Sequence, residues 1–226
     1  MQVKRDWEVI MKLQNLGHAS FRIISEMGTT LVTDPYDGKM TGFEMARVRC
    51  DVVTVSHHHG DHDCMDAILG NPAVLDEVIA CAADDIAVES YATFHDEVKG
   101  AKRGANLVFS FLVDGIKVVH MGDIGCLDGE IVNKIKGCDV LLLPVGGTFT
   151  VDAKGAKWYV DQVQPKTVVP MHYKTDEHSF NVDGVEVFLS QFDGADITRS
   201  ASDTLTLFDA PDNERTKFIT LQRFKD

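Results

Sequence analysis

Four side chains of the types that bind metal ions lie within six residues of this sequence. They are His57, His59, Asp61 and His62, in the pattern His-x-His-x-Asp-His. Neutral imidazole and carboxylate are ligands that Zn²⁺ and related ions prefer, and alternate residues of an extended turn can be aimed at one point. Because the chain has 9 His among 226 residues, chance rarely produces this cluster. The pattern therefore favours a metal site over a surface loop that binds metal adventitiously.

A strand, a turn and a short helix are predicted to position the cluster. The segment 51–56, DVVTVS, is β-branched and apolar, which is typical of a buried strand. Gly60 gives the turn conformational freedom, and the segment 62–69 is expected to form a short helix that Gly70 ends. In α/β proteins, ligands usually bind beyond the carboxyl ends of strands. The cluster therefore lies where an active site is expected.

Three further ligand-type residues follow later predicted strands. His95 comes after a β-branched and aromatic stretch, Asp123 follows a strand that ends at His120, and His172 follows a buried strand. With the cluster they make seven residues, enough for one ion held by three histidines and a second held by Asp, His and His. One carboxylate could bridge both ions. The residues alone leave open whether His95 or His120 completes the three-histidine set.

Two residues near the start of the chain have two interpretations each. Short strands are expected at 12–16, 20–25 and 29–33. Asp34, which precedes a proline, is either a turn residue or a side chain that orients a metal-ligating histidine. His18 is either an ordinary turn histidine or part of the site.

In the segment 36–50 the apolar residues have neither the helical nor the strand periodicity, and the segment directly precedes the predicted metal-binding strand. It is either a rim or lid over the site or an ordinary surface crossover.

The rest of the chain is predicted to alternate strands and helices. Asp114-Gly115 is a hairpin signal between strands at 105–113 and 116–120. Helices are expected at 128–135, 151–163 and 184–192, and strands at 139–145, 166–171, 204–208 and 218–222. No repeat or linker interrupts them. The sequence therefore predicts one domain over residues 1–226, with residues 1–10 as an N-terminal lead.

Composition limits the classes of function. The chain is 44% hydrophobic and 25% charged, as in a globular protein, and its formal net charge is −13. This acidity argues against nucleic-acid binding, which needs clustered Lys and Arg. It leaves an anionic small-molecule substrate open, because two divalent ions would add positive charge to the site.

The cysteines and the hydropathy of the chain indicate the cellular compartment in which we expect the protein. The five cysteines are odd in number and contain no CxxC pair, which indicates reduced thiols. No apolar run approaches about 18 residues, and the start has no signal-peptide pattern. We therefore expect a cytoplasmic protein without a membrane span, and a homo-oligomer is compatible with the sequence.

The ligand pattern and several other motifs resemble the metallo-β-lactamase superfamily. The pattern His-x-His-x-Asp-His, a later lone histidine, a Gly-Asp pair and a final histidine after a strand are typical of it. Further stretches resemble one branch, the small metal-dependent hydrolases related to L-ascorbate-6-phosphate lactonase and N-acyl-phosphatidylethanolamine phospholipase D. These stretches are GHASF at 17–21, TDP at 33–35, RGAN at 103–106, PVGG at 144–147 with Asp152, and PMHY at 170–173.

This resemblance implies a fold and a ligand set. The fold is an α/β, four-layer αββα sandwich. The ligands are a first set of three histidines, a second set of Asp and two His, and a bridging carboxylate. In this sequence they are His57, His59 and His95 for the first set, Asp61, His62 and His172 for the second, and Asp123 for the bridge. By motif resemblance, His95 is favoured over His120 as the ligand.

Two such ions predict a hydrolase. A water that bridges two ions is hydroxide near neutral pH, and it would attack a carbonyl carbon or a phosphorus atom. The resemblance suggests a lactone or a phosphodiester as substrate. Asp61 is expected to orient the hydroxide or carry a proton, and His120 to assist the leaving group, with His18 and His178 as other candidates. Zn²⁺ is the favoured ion, with Mn²⁺ and Fe²⁺ as alternatives.

Three other functions fit parts of the sequence. A dinuclear-iron redox protein on the same fold would need a flavin domain, for which the chain has no room. A metal-dependent nuclease is disfavoured by the net charge of −13. A metal-stabilised binding module would need a closed coordination shell, whereas seven ligands for two ions leave open positions.

Overall fold

Two facing β-sheets form the centre of the molecule. The computed structural model describes residues 11–225. The strands, in chain order, are β1 (Met11–Gly17), β2 (Ser20–Ile24), β3 (Thr30–Thr33), β4 (Val48–Arg49), β5 (Val52–Thr54), β6 (Ile68–Leu69), β7 (Ala73–Leu75), β8 (Ala80–Ala83), β9 (Ile86–Phe94), β10 (Ala105–Val113), β11 (Ile116–His120), β12 (Val140–Pro144), β13 (Thr167–Met171), β14 (Asp196–Arg199), β15 (Thr204–Leu207) and β16 (Lys217–Thr220). The helices are α1 (Gly38–Thr41), α2 (Gly129–Ile135), α3 (Ala153–Val163) and α4 (Val185–Leu189), and a 3-10 turn covers Met65–Ala67.

The first sheet, named sheet A, has six strands in the order β15-β1-β2-β3-β5-β7. β1 runs antiparallel to β2, and β2 runs antiparallel to β3, which is parallel to β5. β1, β3 and β5 therefore point the same way, and their carboxyl ends meet at one edge of the sheet.

The second sheet, named sheet B, has eight strands in the order β14-β16-β13-β12-β11-β10-β9-β8. β10 runs antiparallel to both β9 and β11, and β11, β12 and β13 are parallel. β9, β11 and β13 therefore also share one direction and one edge. A two-stranded ribbon of β4 and β6 lies outside both sheets.

Three clusters of buried apolar side chains hold the layers together. The first lies between the sheets and includes Leu13 of β1 and Phe109 of β10. The second packs α2, α3 and α4 against sheet B and includes Tyr159 and Leu141. The third packs the segment 36–68 against sheet A. The predicted αββα layers are present, but the layer over sheet A contains only the short α1 and the 3-10 turn as helical elements of the described chain.

Local signals predicted the hairpin and the two longer helices correctly. Asp114 and Gly115 have φ angles of 51° and 81° between β10 and β11, as a tight hairpin turn requires. Asp128 caps α2 by accepting hydrogen bonds from two backbone N–H groups, and Asp152 caps α3 in the same way through Gly155. Each cap satisfies N–H groups that a helix start leaves unpaired.

The elements around the metal-ligand cluster differ from the prediction. The helix expected at 62–69 is reduced to the 3-10 turn Met65–Ala67, because Ile68–Leu69 pairs with Val48–Arg49 as a strand instead. β7, β8 and β14 were not predicted. All three are short and partly exposed, so they lack the apolar run that marks a buried strand.

The segment 36–50 is an outer layer rather than a free lid. Phe43, Met45 and Val48 are buried against sheet A, so the crossover interpretation describes most of it. Its first half approaches the site, because Asp37 N donates to Gly60 O at 2.9 Å and the ring centre of Phe43 lies 5.7 Å from that of His178.

Several further expectations concern the whole chain. The predicted N-terminal lead, residues 1–10, lies outside the described residues, and the single-domain organisation stays a prediction. The five cysteines are free thiols. The longest helix, α3, has 11 residues, and no helix within residues 11–225 has the length and apolar character that crossing a membrane requires.

Candidate metal centre

Six strand ends converge on one site. From sheet A come His18 after β1, Asp34 after β3, and the loop 56–63 after β5. From sheet B come His95 after β9, Asp123 after β11 and His172 after β13. The carboxyl ends of these strands meet at one edge of each sheet, and the two sheets face each other. Residues distant in sequence therefore become neighbours.

Two groups of ligand-type side chains lie at this site. In the first, ring nitrogens of His57, His59 and His95 lie within 4.8 Å of one another. In the second, the ligand atoms of four side chains lie within 4.8 Å of one another; they are those of His18, Asp61, His62 and His172. All seven are buried except His59, which is exposed. Six of the predicted ligands fall into these groups, and His18 joins the second.

Asp123, the remaining predicted ligand, lies between the two groups. Its Oδ2 atom is 3.4 Å from Nε2 of His95 in the first group. The same oxygen is 3.3 Å from Nε2 of His62 and 3.2 Å from Nε2 of His172 in the second. Burial would raise the pKa of Asp123, but His172 and His62 hold that pKa well below its ordinary value. An ionised carboxylate oxygen therefore faces both groups.

Asp34 fixes the orientation of two of these histidines. Its Oδ2 atom accepts hydrogen bonds from Ser56 Oγ at 2.6 Å and from Nδ1 of His62 at 2.9 Å. The Ser56 hydroxyl in turn accepts from Nδ1 of His57 at 2.9 Å. Because Nδ1 carries the proton in both rings, Nε2 of each ring presents its lone pair to a metal ion when the ring is neutral. Of the two interpretations of Asp34, these contacts support the one in which it orients site histidines.

Several buried polar atoms at the site have no hydrogen-bond partner among the described residues. They are Nε2 of His18, His57, His62 and His172, Nδ1 of His95 and His172, and Oδ1 of Asp123. Buried polar atoms are nearly always paired, so each unpaired atom needs an explanation. Burial lowers the pKa of His57 to about 3, so its ring is neutral at neutral pH, which is the form that binds metal. The donor atoms therefore fit divalent metal ions.

His120 lies outside both groups. Its Nε2 atom donates to Ala19 O at 2.8 Å, and its Nδ1 atom accepts from Gly122 N at 3.2 Å. Burial lowers the pKa of His120, so the ring is neutral and both nitrogens are engaged by the backbone. The predicted help to a leaving group has no support in this geometry. His120 instead connects β11 to the turn that follows β1.

The backbone at the site is strained. His18, Asp34 and His172 have φ angles of 54°, 40° and 52°, in the left-handed region that side chains rarely adopt. Each such residue costs about 1–2 kcal/mol, and such strain is common where a fold holds functional side chains. The chain packs tightly here, because a Cβ atom at Gly146 would lie 2.2 Å from His172 O.

Few sequence features indicated the residues that support the ligands. Asn106 Oδ1 accepts from Asp123 N at 2.8 Å, and Asn106 Nδ2 donates to Met121 O at 2.9 Å. This amide therefore fixes the loop that carries Asp123. Its position in the RGAN motif was the one available hint. For Ser56, which links Asp34 to His57, the sequence held no hint except that it directly precedes His57.

Arg103 and an aromatic pair lie beside the first group. A cavity of about 330 Å³ is lined by His57, His59 and Arg103 among other residues. The Arg103 guanidinium lies 5.4 Å from the ring centre of Phe149 and donates to Thr148 O at 3.2 Å. Phe149 in turn contacts Phe180, with 5.7 Å between ring centres. A cationic group is therefore held next to the candidate ligands.

Comparison with known proteins shows which family the chain resembles. Residues 12–172 match the family model described as a beta-lactamase superfamily domain. A UPF0173 metal-dependent hydrolase of Pelotomaculum thermopropionicum is 32% identical over 200 residues, which cover 73% of this chain and 85% of the relative. A crystal structure from Thermotoga maritima, described as a candidate Zn-dependent hydrolase of the metallo-β-lactamase superfamily, has a TM-score of 0.77 and 38% identity, and covers 94% of this chain and 100% of that chain.

A more distant structure has the same fold. Human tRNase Z, short form, has a TM-score of 0.53 and 14% identity over 73% of this chain and 93% of that chain, which shows the fold alone. The narrower resemblance to the ascorbate-phosphate lactonase branch stays a prediction. The family match, the relatives and the fold agree with the predicted sandwich. The chain therefore belongs to the metallo-β-lactamase superfamily, as a metal-dependent hydrolase.

Proposed function

We propose that the site holds two divalent ions and catalyses hydrolysis of an anionic ester, either a lactone or a phosphodiester. One ion would be held by the first group, and the other by Asp61, His62 and His172 of the second. The observation that carries this proposal is the position of Asp123 Oδ2, within 3.4 Å of Nε2 atoms from both groups. When bound, two such ions supply an activated water as the nucleophile. Zn²⁺ is our first choice, with Mn²⁺ or Fe²⁺ as alternatives.

The chain's own residues prepare this site. Asp34 and Ser56 hold the Nε2 lone pairs of His57 and His62 toward the ligand side. Burial would raise the pKa of Asp61, but contacts with His18 and His62 bring it below its ordinary value. Asp61 is therefore an ionised acceptor, and we assign it the orientation of the attacking water. We assign no step to His120.

Arg103 supports an anionic substrate. A guanidinium has five N–H donors, and among the described residues one hydrogen bond, to Thr148 O, engages it. Arg103 also lines the same cavity as His57 and His59. A carboxylate or phosphate group of a substrate bound there would meet a fixed, permanently charged donor. Arg103 therefore supplies one positive charge beside the candidate ligands in a chain whose net charge is −13.

Metal analysis tests the proposal directly. Protein reconstituted with Zn²⁺ and freed of excess metal is expected to contain about two ions per chain. Asp123→Asn is expected to lose both ions and all hydrolysis while keeping its far-UV circular dichroism. Asp161→Asn, an equal charge change at a surface pair with Lys157, is the matched control. A wild-type content near zero or one, or normal metal and activity in Asp123→Asn, would contradict the proposal.

A substrate screen tests the chemistry. Lactones, phosphodiesters and thioesters, each in an anionic and a neutral version, are offered to the zinc-loaded enzyme. Arg103→Met is expected to raise KM for the anionic substrates by roughly 10–100-fold and to leave the neutral ones nearly unchanged, because one charge-assisted contact is lost. Lys102→Met, whose ammonium group pairs with Glu97, is the control. An equal loss for both substrate types would show that Arg103 does not recognise charge.

A further inference from the structure

A pair of buried histidines lies behind the second group. Nδ1 of His18 is 3.0 Å from Nε2 of His178, although the two residues are 160 positions apart in the chain. On its other side, Nε2 of His18 is 3.3 Å from Oδ2 of Asp61. Nδ1 of His178 accepts a hydrogen bond from Phe180 N at 3.2 Å. A row of contacts therefore runs from a backbone N–H through two rings to Asp61, and its last nitrogen, Nε2 of His18, has no hydrogen-bond partner among the described residues.

His18 could play either of two roles, which exclude each other. As a metal ligand it would present the Nε2 lone pair and carry its proton on Nδ1. As a hydrogen-bond donor to Asp61 it would carry the proton on Nε2 and leave Nδ1 as an acceptor. Position alone does not separate the roles, because His18 lies within 4.8 Å of the other members of the second group.

The row has a fixed direction, which decides between these roles. A backbone N–H can only donate, so Phe180 N requires a lone pair on Nδ1 of His178. A neutral His178 then carries its proton on Nε2, which must donate to Nδ1 of His18. A neutral His18 in turn carries its proton on Nε2, toward Asp61.

We propose that His178 is a positioning residue that holds His18 as an Nε2–H donor to Asp61, so that His18 is a partner of Asp61 and not a metal ligand. This assignment rests on the proposed function, in which Asp61 is a ligand that orients water. It gives both histidines a role other than assistance to the leaving group. The 3.3 Å contact between His18 and Asp61 is not aligned as a hydrogen bond in this structure, and hydrogen bonds in active sites often become aligned only when substrate binds.

The loop that carries His178 is held in place by several hydrogen bonds. Lys174 Nζ donates to Phe180 O at 2.9 Å and also to His178 O. With the contact between Ser179 N and Thr41 O, these bonds fix the loop that presents the Phe180 N–H.

The proton positions can be measured directly. In protein labelled with ¹⁵N-histidine, long-range ¹H–¹⁵N spectra distinguish a protonated ring nitrogen from one with a lone pair. We expect His18 to carry its proton on Nε2 both without metal and with Zn²⁺ bound. A His18 ring with Nδ1 protonated and Nε2 bound to zinc would overturn the proposal. The spectrum of the metal-free protein tests the direction of the row even if the two-ion proposal fails.

Two variants test the positioning role. His178→Leu removes the donor to His18, and we expect kcat to fall about 10–100-fold, with KM and the content of about two zinc ions unchanged. His178→Gln can still donate through its amide, and we expect it to recover most of the rate. If His178→Leu loses an ion, keeps the wild-type kcat, or behaves like His178→Gln, the assignment is wrong. A wild type that binds no zinc would instead contradict the proposed function.

Discussion

Asp34 supports two proposed ligands with a single carboxylate. It reaches His62 directly and His57 through Ser56, and it also accepts Ser56 N at 2.8 Å through Oδ1. Burial alone would raise the pKa of Asp34, but His120 and His62 lower it, so this buried acid is ionised. Its charge stabilises the histidines when metal draws electron density from their rings.

The first prediction concerns this carboxylate. Asp34→Asn puts an amide nitrogen in place of one acceptor oxygen. At Oδ2 it removes the acceptor of both the Ser56 hydroxyl and Nδ1 of His62, and at Oδ1 it removes the acceptor of Ser56 N. We expect zinc affinity to fall about 10–100-fold, measured by competition with a chromophoric chelator. Asp51→Asn, which removes a carboxylate that accepts from Thr30, is the control. An Asp34→Asn protein with wild-type affinity would refute the orienting role.

The second prediction separates His95 from His120. His95→Ala is expected to lose one ion and nearly all turnover, because its Nε2 atom faces Asp123 in the first group. His120→Ala is expected to keep both ions but to unfold more easily, by about 1–3 kcal/mol for each buried backbone group left unpaired. Those groups are Ala19 O and Gly122 N. Metal counts and urea unfolding of both variants show which histidine is the ligand. If only His120→Ala loses an ion, His120 is the ligand and His95 is not.

Residues close in sequence could be predicted, and their distant partners could not. The cluster from His57 to His62 was visible because one turn carries it. The contact of Asp34 with Ser56 spans 22 positions, and that of His18 with His178 spans 160. Both depend on which strands become neighbours in the sheets. A sequence pattern shows that a histidine is present, but the fold determines which of its nitrogens is occupied.

Among the elements, the loop between β9 and β10 is organised by one side chain. Asp96 is buried and accepts hydrogen bonds from four backbone N–H groups, those of Val98, Gly100, Lys102 and Arg103. Burial would raise the pKa of Asp96, but these N–H groups lower it to about 2. Because Arg103 belongs to this loop, Asp96 also determines where the guanidinium lies.

The third prediction follows from that pKa. The folded-state value of about 2 lies below the ordinary value of about 3.9, so Asp96 stabilises the fold above pH about 4 and loses this effect as the pH falls toward 2. Asp96→Asn is therefore expected to be less stable than wild type at pH 7, and the difference should shrink between pH 4 and 2. Urea unfolding across this range measures it, with Asp161→Asn as a control. A difference that stays constant down to pH 2 would show that charge is not the cause.

The elements differ in how well the sequence predicts them. The β10–β11 hairpin, α2 and α3 have local turn and cap signals, and all three formed as predicted. β8 and β14 are sheet edges with alternating or mostly exposed residues, and only their partners keep them extended. The short helix expected after the metal loop gave way to pairing with β4. Tertiary pairing outweighs local propensity where the local signal is weak.

At the scale of the whole molecule, the site joins the two sheets. The loop 56–63 extends from sheet A, whereas His95, Asp123 and His172 extend from sheet B. An ion held by residues from both sheets binds the folded chain and not the unfolded one. Metal should therefore stabilise the fold as a whole.

The fourth prediction is the size of that effect. Zinc at about 100 times its dissociation constant adds about 2.7 kcal/mol per site, which corresponds to roughly 5–10 °C in melting temperature for a chain of this size. Chelator should reverse the increase, and Asp123→Asn should show little of it. Calorimetry with and without metal measures this. Equal zinc-induced shifts in wild type and Asp123→Asn would indicate that zinc stabilises the protein elsewhere.

The pairing of β1 with β15 has a consequence for protein synthesis. Met11 pairs with Leu207, so about 200 residues must be added before β1 gains this neighbour. At about 5–20 residues per second, the ribosome needs roughly 10–40 s to do so. During that interval the nascent chain has β2 as a partner for β1 on one side only, and an open strand edge readily recruits strands from other chains. The later-made strand β15 thus protects the earlier-made strand β1, and aggregation of nascent chains is most probable before β15 is synthesised.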